Sequence, residues 1–201
     1  MRLLLSGGGG PECVVPLDEC FASQIDLMET VLYIPIAMEP HVFTYEECFG
    51  WFGRTYKPYG IVNFEMCTDL TSVTDLGRYT AVFIGGGNTF KLMKAMRESG
   101  FDRKLTDYIH QGGFVYGGSA GAIIFGKTIR TAEHCDPNRV GLTDSSGLDL
   151  LDGRDVWVHY DKKHNPLIAQ YNNDLYILYE ESGLFVRDGN AESIGRPFFT
   201  M

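Results

Sequence analysis

The sequence predicts an α/β domain built on a mostly parallel sheet with helices on both faces. Three observations carry this expectation. Short apolar runs of three to five residues, partly β-branched, recur along the chain and end in glycine or turn chemistry, as strands buried on both faces do. Segments with apolar residues three and four apart lie between them, as helices packed on a sheet require. Glycines cluster directly after three of the runs, where a parallel sheet gathers its functional loops.

In chain order, Arg2 to Leu5 reads as the first strand and runs into Ser6 and Gly7 to Gly10. Leu17 to Leu27 has helical spacing. Val31 to Ile34 is the second strand, stopped by Pro35, which cannot donate to a ladder. Tyr45 to Tyr56 is helical. Ile61 to Phe64 is a strand flanked by Gly60, and Ala81 to Ile84 is another, running into Gly85-Gly86-Gly87. Helices over Phe90 to Arg97 and Phe101 to Ile109 follow, then the strand Phe114 to Tyr116. Val156 to Val158 is a later strand that runs into His159. Leu175 to Leu178, Leu184 to Val186 and Ser193-Ile194 predict short strands, antiparallel, at one edge of the sheet. Asp188-Gly189-Asn190 between the last two is a hairpin signal. No linker or repeat divides the 201 residues, so a single domain over 1–201 is expected.

Composition narrows the function classes. The net charge is −9, with Lys and Arg scattered, which argues against nucleic acid and against an anionic membrane surface as partners. The apolar stretch near the start, Leu3 to Leu5, is too short for a signal peptide. The five cysteines lack CxxC spacing and the five histidines show no paired ligand spacing with them. Reduced thiols, a cytoplasmic location and no metal or other cofactor are therefore expected. A small-molecule substrate is the expected partner, with a homodimer among the assemblies allowed.

Gly117-Gly118-Ser119-Ala120-Gly121 fits G-x-S-x-G between an apolar run and Ile123-Ile124-Phe125. In a nucleophile elbow the serine backbone is forced into a strand-to-helix turn, so the positions two away must be tiny. The rival reading is a serine N-cap at a glycine turn. A nucleophilic serine needs a base. His159 emerges at a strand's end and ranks first, with His134 as rival; His41, His110 and His164 sit in turn, helix-end or loop contexts. The orienting carboxylate is open among Glu133, Asp136, Asp161, Glu180 and Glu181. Gly85 to Phe90 is the expected oxyanion site, because glycines let backbone N–H groups approach an oxygen and a helix begins nearby. The stretch lacks the spacing of a Walker or dinucleotide loop.

Together, GGGNTF (Gly85 to Phe90) and GGSAGA (Gly117 to Ala122) resemble the peptidase E family of aspartyl-dipeptidase-like serine peptidases, related to cyanophycinase. The likeness extends through Thr128 to Thr131, Val158 to Asp161 and Leu184 to Gly189. The resemblance implies a fold like class I glutamine amidotransferases and a Ser-His-acid triad hydrolysing short peptides. It implies Ser119 as nucleophile, His159 as base and Glu181 as orienting acid. Glu180, Glu133 and Asp136 are the alternative acids. Gly86, Gly87, Asn88 and Ala120 match the oxyanion and substrate-binding region. Aspartate-specific members carry an arginine after the histidine, which a bidentate carboxylate contact wants. Tyr160 to Glu181 holds Lys162 and Lys163 but no arginine; Arg130 and Arg139 are the substitutes available. Asp-X specificity is thus not implied for this chain. The alternative functions are an esterase or amidase on a non-peptide substrate, and a non-catalytic small-molecule binder.

Overall fold

The computed structural model describes residues 1–201. A seven-stranded sheet takes up the first half of the chain and part of its end. Its strands are β1 (Arg2–Ser6), β2 (Val31–Ile34), β3 (Phe64–Met66), β4 (Ala81–Ile84), β5 (Phe114–Gly118), β8 (Ser182–Arg187) and β9 (Asn190–Gly195), in the order β3-β2-β4-β5-β1-β8-β9. The five strands from β3 to β1 pair in parallel, and β8 and β9 add an antiparallel edge. A second, three-stranded sheet joins β6 (Asp155–Trp157), β7 (Leu175–Ile177) and β10 (Phe199–Thr200).

Side-chain alternation on the strands separates two apolar layers. Leu4, Val31, Tyr33, Ala81, Phe83, Phe114 and Tyr116 face α1 (Val15–Ser23) and α2 (Tyr45–Tyr56). Leu3, Leu5, Leu32, Ile34, Val82, Ile84 and Val115 face α3 (Thr89–Ser99), α4 (Phe101–His110) and the single turn α5 (Ala120–Ile123). The short α6 (Asn165–Ile168) covers the second sheet through Ile168. The result is the expected three-layer, mostly parallel α/β architecture.

Sequence and structure differ at three places. The strand expected over Ile61 to Phe64 begins at Phe64, where Val31 pairs with it. Ile61 is buried as a loop residue following the left-handed Gly60, so its apolarity reports packing, not strand. The helix expected over Leu17 to Leu27 stops at Ser23. Leu175 to Ile177 does not join the edge of the main sheet, because it pairs with β6 and β10. The hairpin signal is met: Arg187 pairs with Asn190 across Asp188 and Gly189, both at positive φ, as a type I′ turn requires.

One buried charge sits in the α1–α2 layer. Asp18 is 1% exposed and accepts a hydrogen bond from the Tyr56 hydroxyl at 2.8 Å. Burial raises its pKa from 3.8 to about 6, against the smaller opposing effect of the Tyr56 bond. A folded-state pKa above the unfolded one means that Asp18 stabilises the fold below about pH 4 and loses that contribution as pH rises through about 6. Asp18→Asn is therefore expected to gain about 1–3 kcal/mol over the parent at pH 7.5. The gain should shrink as pH falls towards 4.5, in denaturant melts of both proteins across that range. A gain that stays constant with pH would contradict a titrating Asp18.

Candidate active site

The three glycine-rich stretches come together because their strands are adjacent and in register. Leu5 and Ile84 both lie opposite Gly117, and Ser6 lies opposite Gly118. The loops after β1, β4 and β5 therefore leave the sheet side by side. Ser119 follows β5 at φ 51°, ψ −108°, a conformation that costs a non-glycine residue energy. Close packing holds it there. A Cβ on Gly121 would lie 2.4 Å from the Ile84 carbonyl oxygen, so only glycine lets α5 sit against β4. The Ser119 N–H donates to the Ser6 carbonyl at 3.1 Å.

The Ser119 side chain makes no capping bond to α5. Its Oγ lies 2.8 Å from His159 Nε2, which removes the N-cap reading. His159 also has positive φ, 51°, and its N–H donates to the Gly7 carbonyl at 2.9 Å. The imidazole lies directly over the first glycine run: a Cβ on Gly8 would be 2.1 Å from the ring's Cε1. That run is a seat for the histidine as much as a turn.

The carboxylate behind the ring is Glu180. His159 Nδ1 is 3.0 Å from Glu180 Oε1. This corrects the expectation of Glu181, whose Oε2 accepts from Arg196 at 3.4 Å. Glu180 and Glu181 are the two central residues of a turn that the Ser182 N–H closes on the Tyr179 carbonyl at 3.0 Å, and the two positions face different ways. With Glu181 tied through its carbonyl to the Arg196 N–H beside β9, Glu180 is the one turned towards the ring. The other acids serve elsewhere. Glu133 pairs with Arg130, Asp136 accepts from the Thr89 N–H at 2.8 Å, and Asp161 accepts from the Lys163 N–H. His134 stacks on Trp157, centroids 4.3 Å apart, and bonds the Thr131 carbonyl.

Gly86 lies against Ser119, a Cβ built on it being 3.2 Å from Ser119 Cβ, and Gly87 lines the same cavity. No hydrogen bond in the structure takes the N–H of Gly86, Gly87 or Ala120, which leaves three unengaged donors in the loops that meet at the elbow. Asn88 departs from its expected substrate-binding role. Its Oδ1 caps α3 by accepting from the Lys91 N–H, and its Nδ2 donates to the Pro137 carbonyl. These two bonds engage both polar atoms of its side chain, as a helix N-cap does.

A cavity of about 520 Å³ opens at Ser119 and His159 and runs past Gly85 to Gly87 towards α2. Arg130 and Arg139 do not line it; Arg139 pairs with Glu39. Arg54 does line it, a residue sequence reading passed over. The signal was present: Glu47, Trp51 and Arg54 fall on one helical face of α2. Lys162 and Lys163 border a different recess, beyond His159 and Glu180.

A hydroxyl on a strand-to-helix elbow, an imidazole in hydrogen-bond contact, a carboxylate behind it and free backbone N–H groups beside it define a serine-hydrolase type of site. The sequence model described as Peptidase family S51 matches residues 3–195, and the chain belongs to that family of serine-type peptidases. It is 31% identical over 152 residues to peptidase E of Salmonella gallinarum, covering 74% of this chain and 59% of that protein. With peptidase E of Escherichia coli (strain K12 / DH10B) it shares 29% over 147 residues, 73% and 60% of the two chains. The match thus spans about three fifths of the length of these curated relatives. Among solved structures, a candidate peptidase E protein from Listeria monocytogenes EGD-e superposes with a TM-score of 0.76 at 22% identity, over 98% of both chains. A peptidase from an acI-B1 Actinobacterium gives 0.72 at 15% identity, over 100% of this chain and 93% of the other. These two likenesses show the shared fold.

Proposed function

We propose that this chain is a serine peptidase that hydrolyses short peptides, with Ser119 as nucleophile, His159 as general base and acid, and Glu180 as the orienting carboxylate. The observation that carries the reading is the 2.8 Å contact between Ser119 Oγ and His159 Nε2 on a strained elbow. His159 takes the hydroxyl proton as Oγ attacks the scissile carbonyl. The Gly86, Gly87 and Ala120 N–H groups face the oxyanion that forms, and fixed donors of this kind lower a barrier by about 3–4 kcal/mol each. His159 then returns the proton to the departing amine, and water, activated by the same imidazole, releases the acyl group. Glu180 keeps the ring in the tautomer that presents a bare Nε2 to Ser119. The cavity volume of about 520 Å³ suits a ligand of one or two residues. The five free thiols suit a reducing compartment such as the cytoplasm.

Incubation of the full chain with a mixed library of di- and tripeptides, followed by mass spectrometry, is expected to show release of single amino acids or dipeptides. Cleavage of small esters with no peptide cleaved would replace this reading with that of an esterase.

A further inference from the structure

We propose that the cavity beside Ser119 is an acyl-side pocket that selects peptides whose scissile carbonyl belongs to a residue with a large aromatic or apolar side chain. The proposal rests on Ser119 being the nucleophile of a peptidase.

Direction follows from the proton path. His159 must hand its proton to the departing nitrogen, so the leaving residue lies on the His159 side of Ser119. The cavity touches His159, Gly8 and Gly9 and continues across β5 past Gly85 to Gly87 to the face of α2, on the far side of Ser119 from β1. The space it offers therefore receives the acyl part of the substrate.

Chemistry follows from the lining. Tyr33, Phe83 and Tyr116 project from β2, β4 and β5 into the cavity, and Trp51 meets them from α2. Their rings hold one another in place. Phe83 and Tyr116 stack with centroids 4.4 Å apart; Tyr33 lies edge-on to Phe83 at 5.7 Å and 6.2 Å from Trp51. Such a preformed aromatic surface pairs well with a ring or a branched apolar chain and loses little freedom on binding.

The charges at the cavity do not favour an acidic side chain. Arg54 is exposed. Glu47 lines the same cavity two helical turns earlier, and its carboxylate is engaged with the Thr44 N–H at 2.7 Å in the α2 cap. Two opposite charges on the lining leave the aromatic surface to discriminate.

The test compares kcat/KM of the full chain for Phe-Ala, Leu-Ala, Ala-Ala and Asp-Ala. In parallel, rates of irreversible labelling are measured with diphenyl phosphonates of Phe and Asp. Phe-Ala and Leu-Ala are expected to exceed Ala-Ala and Asp-Ala by about 10²-fold, the scale on which an apolar pocket separates side chains of different size. The Phe phosphonate should label faster than the Asp one by a similar factor. Trp51→Ala should lower the Phe-over-Ala ratio at least about tenfold; Trp51 is 36% exposed, and thermal melting checks that the variant is folded. Equal rates across the panel, with Ser119 still labelled, would overturn the pocket and leave the nucleophile standing. An Asp preference that disappears in Arg54→Met would overturn it too, making the guanidinium the selecting group. No cleavage and no labelling by either phosphonate would bring down the nucleophile, and the pocket with it.

Discussion

Ser119→Ala is expected to lower kcat for peptide cleavage by about 10⁴–10⁶-fold, the scale of nucleophile loss in serine peptidases, and to remove labelling by a serine-reactive phosphonate. The effect is large because Oγ is the only side-chain atom in hydrogen-bond contact with His159 Nε2. The free N–H groups of Gly86, Gly87 and Ala120 remain in the variant and sustain at most a small residual rate. The fold should survive. The Ser119 N–H bond to the Ser6 carbonyl and the close glycine packing around the elbow involve backbone, which alanine retains. Far-ultraviolet circular dichroism and a thermal melt would confirm this. Labelling that persists in Ser119→Ala, at Ser6 or elsewhere, would remove Ser119 from the mechanism.

The second large effect separates two adjacent glutamates. Glu180→Gln should lower kcat by about 10–10³-fold with KM little changed, whereas Glu181→Gln should stay within about threefold of the parent. The reason is geometric. Glu180 Oε1 is 3.0 Å from His159 Nδ1; Glu181 is occupied with Arg196. An amide in place of the acid can donate to Nδ1 and so favour the tautomer with its proton on Nε2, which cannot accept from Ser119. In a fully buried triad that change costs about 10⁴-fold. The Glu180 side chain is 51% exposed, so water can take over part of its role and the expected loss is smaller. The opposite pattern would return the orienting role to Glu181.

Much of the architecture was legible from local pattern. Arg2 to Leu5, Val31 to Ile34, Ala81 to Ile84 and Phe114 to Tyr116 are dense apolar runs, and all four became parallel strands of the main sheet. The glycine motifs after three of them could be placed at one end of the sheet, since parallel strands share a carboxyl edge. Ser119 and His159 were readable for the same reason, each leaving a strand in a turn. Boundaries were less legible where apolarity serves packing and not pairing, as at Ile61, or where a helix stops without a strong signal, as after Ser23. The fate of Leu175 to Ile177 depended on partners at least twenty residues away in either direction.

The α/β layering and the glycine-flanked turn at Ser119 were set by the sequence, because they follow from periodicity and from the steric demand for glycine around a strained turn; it ranked Ser119 and His159 first without excluding a helix cap or His134. Tertiary structure alone decided which of Glu180 and Glu181 meets the imidazole, since both sit at the centre of one turn and its seating beside His159 and Arg196 sets which side chain faces the ring. It alone turned Asn88 to a helix cap. It alone assembled Tyr33, Trp51, Phe83 and Tyr116, scattered over more than eighty residues, into the wall of one cavity. Their convergence is set by strand order and by the seating of α2, and neither is written in any local stretch of the chain.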